Sequence, residues 1–353
     1  MDRNKVSYLF INLFSFFKRF FLDPIIYGYL TFIPLFFVLG RYISKSGLIL
    51  SLSLMAILIF GNNSYVLYYL IPFFLIIIFN NNFKKIDLFY LVDSTKYFLL
   101  FVIIYALFQV LFNFFQFEIN WIYSDLSIVN AKNIFIPNRT IKPFSVFSDT
   151  TTFTFFCSIY LLVFFRQKKY FWSLIALAGF LISGTRSFLL AFILAYIIIY
   201  LFNIKSKIKV FSSSIILSTI LYFFLIYYSK FLLQFFAEYS SRYLLYGTMY
   251  GRYETILKRL EDFELINILI PLKFDYLSDP NLTFDNLHLT LVANFGIVGY
   301  LLFWKFFKVE KDDKITTFFF SYIIICGFFV DIIYSFYLFF LVAIVIFSKK
   351  KYA

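Results

Sequence analysis

Asp285-Asn286-Leu287-His288-Leu289-Thr290-Leu291-Val292-Ala293-Asn294-Phe295-Gly296-Ile297-Val298-Gly299 sets the only histidine and a carboxylate where a long polar segment enters an apolar run. Asp285 and His288 are three residues apart, so a helix brings them to one face. Titratable groups at the mouth of a membrane-crossing helix are expensive to keep there, which makes the stretch a candidate functional site. Outward from it, the chain is apolar. Hydrophobic residues are 62% of the sequence and charged residues 14%, far from globular usage.

Apolar runs of spanning length, about 20 residues each, repeat between polar clusters. They fall near 6–22, 24–40, 46–60, 64–79, 95–115, 150–165, 170–183, 187–202, 210–228, 286–304, 315–331 and 332–348. The expectation is an all-α polytopic membrane protein with 12 helices, or 11 if 6–22 lies in the interface. Residues 1–353 form a single transmembrane domain in this reading. No cleavable signal peptide is apparent, since the first run holds Lys18-Arg19 and lacks a small-residue cleavage site. The 57 phenylalanines read as lipid-facing filler, and Cys157 and Cys326 as small mid-span packing residues.

Charge orients the chain. One set of short loops carries 20 of the 32 basic residues against six acidic ones, a net of +14, and is expected to be cytoplasmic with both termini. The overall +13 is thus an orientation signal, and no contiguous basic face invites nucleic acid. On the other side lie two long loops, 116–149 and 229–285, net −2, expected to be the extracytoplasmic working surface. No internal repeat relates the halves, which counts against inverted-repeat transporters.

Three arginines fall on that expected outer side. Arg186, in Ser183-Gly184-Thr185-Arg186-Ser187, sits in a tight turn between two apolar runs. A guanidinium beside helix-opening amides makes an anion cradle, and the competing reading is an arginine snorkelling to the interface. Arg139 lies in the polar segment 138–149, where Pro143 argues for an ordered turn; it could equally be a solvated loop residue. Arg252 opens an amphipathic stretch with apolar residues at 253, 256, 257 and 260. Asp285 can cap the entering helix or act as a general base, and His288 can be an interfacial hydrogen-bonding residue or share the base role. No metal-spaced His/Cys set, Walker loop or serine elbow is present, so neither a metal nor a cofactor is expected.

In this order the pieces resemble the O-antigen polymerase and O-antigen ligase superfamily of bacterial envelope enzymes, which includes the Wzy-type polymerases. The matching elements are Arg139 before Phe147-Ser148-Asp149, the Ser183–Ser187 turn, Gly251-Arg252, and Asp285-Asn286 leading to Gly296 and Gly299. In the ligase branch, the residue eleven before that first glycine is typically histidine. Here it is Asp285, with His288 one turn out of register, which favours the polymerase branch.

The resemblance implies a GT-C-like membrane glycosyltransferase of the bacterial inner membrane. Its substrates would be undecaprenyl-diphosphate-linked glycans, and a chain-length regulator protein would be a partner. Arg139, Arg186 and Arg252 would bind the diphosphate, and Asp285 or His288 would act on the acceptor hydroxyl. A ligase and a lipid-linked oligosaccharide flippase are the competing functions. Charges near the run ends and two large outer loops count against the flippase.

Overall fold

A computed structural model describes residues 43–60, 70, 73–84, 86–111, 143, 145, 150–183, 185–204, 206–235, 253–254, 256–257, 269, 286–307, 313–330 and 336–348. Among them the regular structure is helical, with no strand. The helices are α1 (Lys45–Phe60), α2 (Asn80–Phe83), α3 (Leu88–Ser94), α4 (Lys96–Leu111), α5 (Thr150–Arg166), α6 (Tyr170–Ile182), α7 (Arg186–Tyr196), α8 (Lys207–Phe235), α9 (Leu287–Phe306), α10 (Lys314–Cys326) and α11 (Phe336–Phe347). A π-helical turn, Ile197–Leu201, prolongs α7. Nine of these helices sit on apolar runs of the sequence, because a chain without water around it must satisfy its backbone within each segment. The expected runs at 6–22 and 24–40 lie outside the described residues.

By residue count and composition alone, Lys207–Phe231 and Leu287–Phe306 are long and apolar enough to cross a membrane, and α3 with α4 would make a third span bent by 57°. The other apolar helices are shorter, at 10–17 residues. α8 presents Ile216, Ile220, Phe223, Phe224 and Tyr227 as a largely exposed apolar face, which suits a lipid environment. It continues to Phe235, past the end expected at 228.

The chain divides into two compact units: Met1–Ile43, Phe79–Phe192 and Ser335–Ala353 form one, and Ser44–Ile78 and Ile193–Tyr334 the other. In the first, α5 is buried almost all round and packs on α3, α6 and α11. It runs antiparallel to α4: Tyr160 bonds to Thr95, just ahead of α4, and Phe156 meets Phe98 edge-on at 6.0 Å. That register puts Thr150, the start of α5, beside the middle of α4. At the opposite end, Asp93 takes Lys169 at 2.5 Å and Lys96 at 3.9 Å.

In the second unit, α8 and α10 run in the same direction. Phe211 lies by Phe320 (6.5 Å), Ser214 bonds Ser321 (2.7 Å), and Tyr222 lies by Phe328 (6.2 Å). α9 packs on α1. The Lys207 ammonium closes the C-terminal end of α9, donating to Trp304 O at 3.1 Å and to Phe307 O. A cation is favoured where a helix leaves its carbonyls unsatisfied.

Candidate functional site

In the first unit the Ser183–Arg186 turn is pinned by hydroxyls. Ser183 Oγ donates to Phe180 O (2.6 Å), and Thr154 Oγ1, in the second turn of α5, donates to Thr150 O (2.7 Å). Each has thereby committed its one hydrogen. Thr185 Oγ1 lies 2.5 Å from Thr154 Oγ1 and 3.1 Å from Ser183 Oγ, so its hydrogen serves the nearer partner. The Thr185 carbonyl accepts from the amides of Phe188 and Leu189, which makes Thr185 the cap position of α7. Arg186 follows as the first helical residue. The starts of α5 and α7 therefore lie side by side, with the positive ends of two helix dipoles near Arg186.

The segment entering α5 is sunk against α4. Ser145, fully buried and left-handed (φ 53°), donates Oγ–H to Val102 O at 2.5 Å. Gln109, also fully buried, clasps it twice: Ser145 N–H donates to Gln109 Oε1 (2.8 Å), and Gln109 Nε2 donates to Ser145 O (3.2 Å). A buried amide side chain that matches a backbone amide on both sides leaves neither group unsatisfied. The ordered turn expected around Pro143 is thus present at Ser145, and Pro143 itself is buried.

In the second unit the entry to α9 is closed by other chemistry. Asn286 caps the helix, its Oδ1 accepting from the Leu289 amide at 3.1 Å. His288 is buried, with Nδ1 3.0 Å from the Tyr300 hydroxyl and Nε2 2.9 Å from Ile324 O. Its ring stacks on Trp304 at 5.7 Å and lies 4.5 Å from Phe328.

On a straight helix residues 288 and 304 would stand about 24 Å apart, further than two side chains can bridge. The cause is Gly296, whose φ of 63° and ψ of 179° break α9 into two legs. Only glycine adopts that backbone readily. The 20 residues of α9 thus reach much less far than their number suggests, and the expected single run at 286–304 is an elbow. Gly296 is buried, as non-helical backbone in an apolar setting must be.

The residues expected to form the site divide as follows. Arg139, Arg252 and Asp285 lie outside the described residues. Arg186 is placed by its backbone at the head of α7. His288 is placed in full. Downstream of Arg252, Tyr253, Glu254, Ile256 and Leu257 are helical; Ile256 is buried, whereas Leu257, expected on the same apolar face, is exposed.

Sequence reading passed over Thr154, Gln109 and Tyr300. Buried polar residues inside apolar runs were the available signal for the first two. Tyr300, twelve residues beyond His288, has no signal on a straight helix. Cys157 and Cys326 are free and buried, as small packing residues. Comparison of the chain with protein-family models, with curated proteins and with solved structures gives no match.

Proposed function

We propose that the protein polymerises lipid-diphosphate-linked oligosaccharide repeat units by glycosyl transfer at the outer face of the bacterial inner membrane. It would cross that membrane 11 or 12 times with both termini in the cytoplasm, in a GT-C-like arrangement. The observation that carries this reading is the Ser183–Arg186 turn: an arginine opens a helix from a cap locked by hydroxyls, beside the start of a second helix. Its place in the order Arg139, Arg186, Arg252, Asp285 is that of the superfamily the sequence resembles.

In the reaction, a hydroxyl of the incoming unit attacks the anomeric carbon of the growing glycan. The bond from that carbon to the lipid diphosphate breaks, and the hydroxyl proton passes to Asp285. Charge gathers on the departing diphosphate. Arg139, Arg186 and Arg252 would grip it, since a guanidinium meets two phosphate oxygens at once and an ammonium does not. Asp285 also suits a helix-entry carboxylate. The substrates on both sides are undecaprenyl-diphosphate-linked glycans, and a chain-length regulator would be the protein partner.

Deleting the gene and resolving the surface glycan by gel tests this. The expected product is a core bearing a single repeat unit. Bare core with accumulated lipid-linked polymer would make the protein a ligase instead, and repeat units trapped in the cytosol would make it a flippase.

A further inference from the structure

Three successive residues at the α9 entry each give a hydrogen to the end of α10. Asn286 Nδ2 donates to Phe328 O (3.3 Å), the Leu287 amide to Gly327 O (2.7 Å), and His288 Nε2 to Ile324 O (2.9 Å). The Phe328 amide bonds to Ile325 O, so the Ile324 carbonyl is served from the α9 entry. These are the carbonyls that a helix end leaves over, and a strand of incoming chain satisfies them.

The hydrogen-bond inventory fixes the state of the ring. A carbonyl only accepts, so Nε2 carries the hydrogen; in the neutral imidazole Nδ1 is then an acceptor, filled by the Tyr300 hydroxyl. Trp304 and Phe328 cover the ring. Both nitrogens are in use, and no lone pair is left for a substrate hydroxyl.

We infer that His288 is a positioning residue. It clasps the entry of α9 to the last turn of α10, and so fixes Leu287 and Asn286, the residues that follow Asp285 in the chain. Tyr300 completes the clasp from the far leg, which only the elbow at Gly296 brings within reach. The positioning role rests on the glycosyl-transfer reading above; the clasp itself does not.

Because the chain has one histidine, 15N-histidine labelling of the full-length protein in lipid nanodiscs gives a single pair of ring signals. The expected pair is a hydrogen-bearing Nε2 and a bare Nδ1. Tyr300→Phe should move the Nδ1 signal and leave Nε2 in place. A hydrogen on Nδ1, or a ring insensitive to Tyr300→Phe, overturns the clasp whatever the reaction is.

The role is then read from elongation of purified lipid-diphosphate-linked repeat units at matched protein amounts. His288→Gln keeps an N–H donor for Ile324 O, and should retain at least about a third of the wild-type rate, as an order-of-magnitude expectation for one preserved hydrogen bond. His288→Ala should lose tenfold or more in kcat with KM for the lipid-linked donor within about twofold, the pattern of a misplaced reacting group. If His288→Gln is as inactive as Asp285→Asn, His288 is a reacting group and the inference fails. If the wild-type protein elongates nothing, the glycosyl-transfer reading and the positioning role fall together, while the labelling result still decides the clasp.

Discussion

The head of α7 in the first unit and the head of α9 in the second both receive the chain from a polar segment, but the bonds that hold them differ in what they leave available. At α9 the donors of residues 286–288 are spent on carbonyls of α10, and the Asn286 side chain caps its own helix. At α7 the turn is fixed by hydroxyls that bond one another and nearby carbonyls, and the charged residue comes next in the chain. A self-contained clasp is architecture, whereas a locked turn that carries a guanidinium is a mount for a charge. Substitutions at α9 should therefore be felt as stability and, where the clasp loosens, as turnover at matched protein amounts, whereas those at α7 should be felt as activity with stability kept.

The largest effect is expected at the elbow. Gly296→Val puts a β-branched side chain at φ 63°, ψ 179°, a backbone that essentially only glycine holds. The penalty is about 3 kcal/mol, a large part of the 5–15 kcal/mol of a typical fold. The variant should fail to accumulate, or unfold well below the wild type in detergent by size-exclusion fluorescence. Normal accumulation would mean that α9 tolerates a straight path, on which the His288–Tyr300 contact cannot form.

Arg186→Lys sharpens the contrast from the other side. It keeps the charge and loses the fork, so long-chain surface glycan should fall at least about tenfold while membrane protein levels stay normal, as expected for a bidentate phosphate contact. Unchanged glycan length on a gel would remove Arg186 from the proposed clamp. Falling protein levels would move the head of α7 into the same class as α9.

The two regions also differ in how much of them can be read from sequence. Helix positions were largely legible: α1, α4 to α6, α8 and α9 begin within a few residues of their apolar runs, because an apolar stretch without water has few alternatives to a helix, whereas α2 and α3 fall between the expected runs. The Ser183–Ser187 turn was legible for the same reason, as a polar interruption between two such runs. What periodicity missed depends on direction changes.

A glycine inside an apolar helix carries no mark of whether it bends the chain, so the Gly296 elbow and the Tyr300 partner of His288 stayed hidden. Likewise the 57° bend between Leu88–Ser94 and Lys96–Val110 turns on Thr95, which bonds Leu91 O and Tyr160 instead of continuing the rod. There the signal existed: Asp87 stands ahead of the apolar run and caps α3 through the amides of Phe89 and Tyr90.

A smaller effect separates mount from charge. Thr185→Val removes the hydrogen that Thr154 receives, yet Thr154 and Ser183 each keep a carbonyl acceptor, so no buried hydroxyl is orphaned. The expected destabilisation is about 1 kcal/mol, the usual worth of one hydrogen bond. Glycan length should shorten more than the melting temperature drops, because the turn that aims Arg186 loosens. Equal, marginal changes in both would show that Arg186 does not depend on the hydroxyl lock.

The smallest effect is expected at Gly327, whose carbonyl receives the Leu287 amide. A Cβ there would come within 3.1 Å of His288 Nε2 and of Leu287 Cβ, and 3.2 Å of Ile324 O. The φ of −58° suits any residue, so the penalty of Gly327→Ala is purely one of approach. A shift of a few tenths of an ångström relieves it, at about 1 kcal/mol or less, which alanine's better helical propensity partly offsets. That shift falls on the Nε2–Ile324 bond. Stability should thus change little, while the 15N signal of the hydrogen-bearing nitrogen moves, and an unmoved signal would place the imidazole somewhere other than against the end of α10.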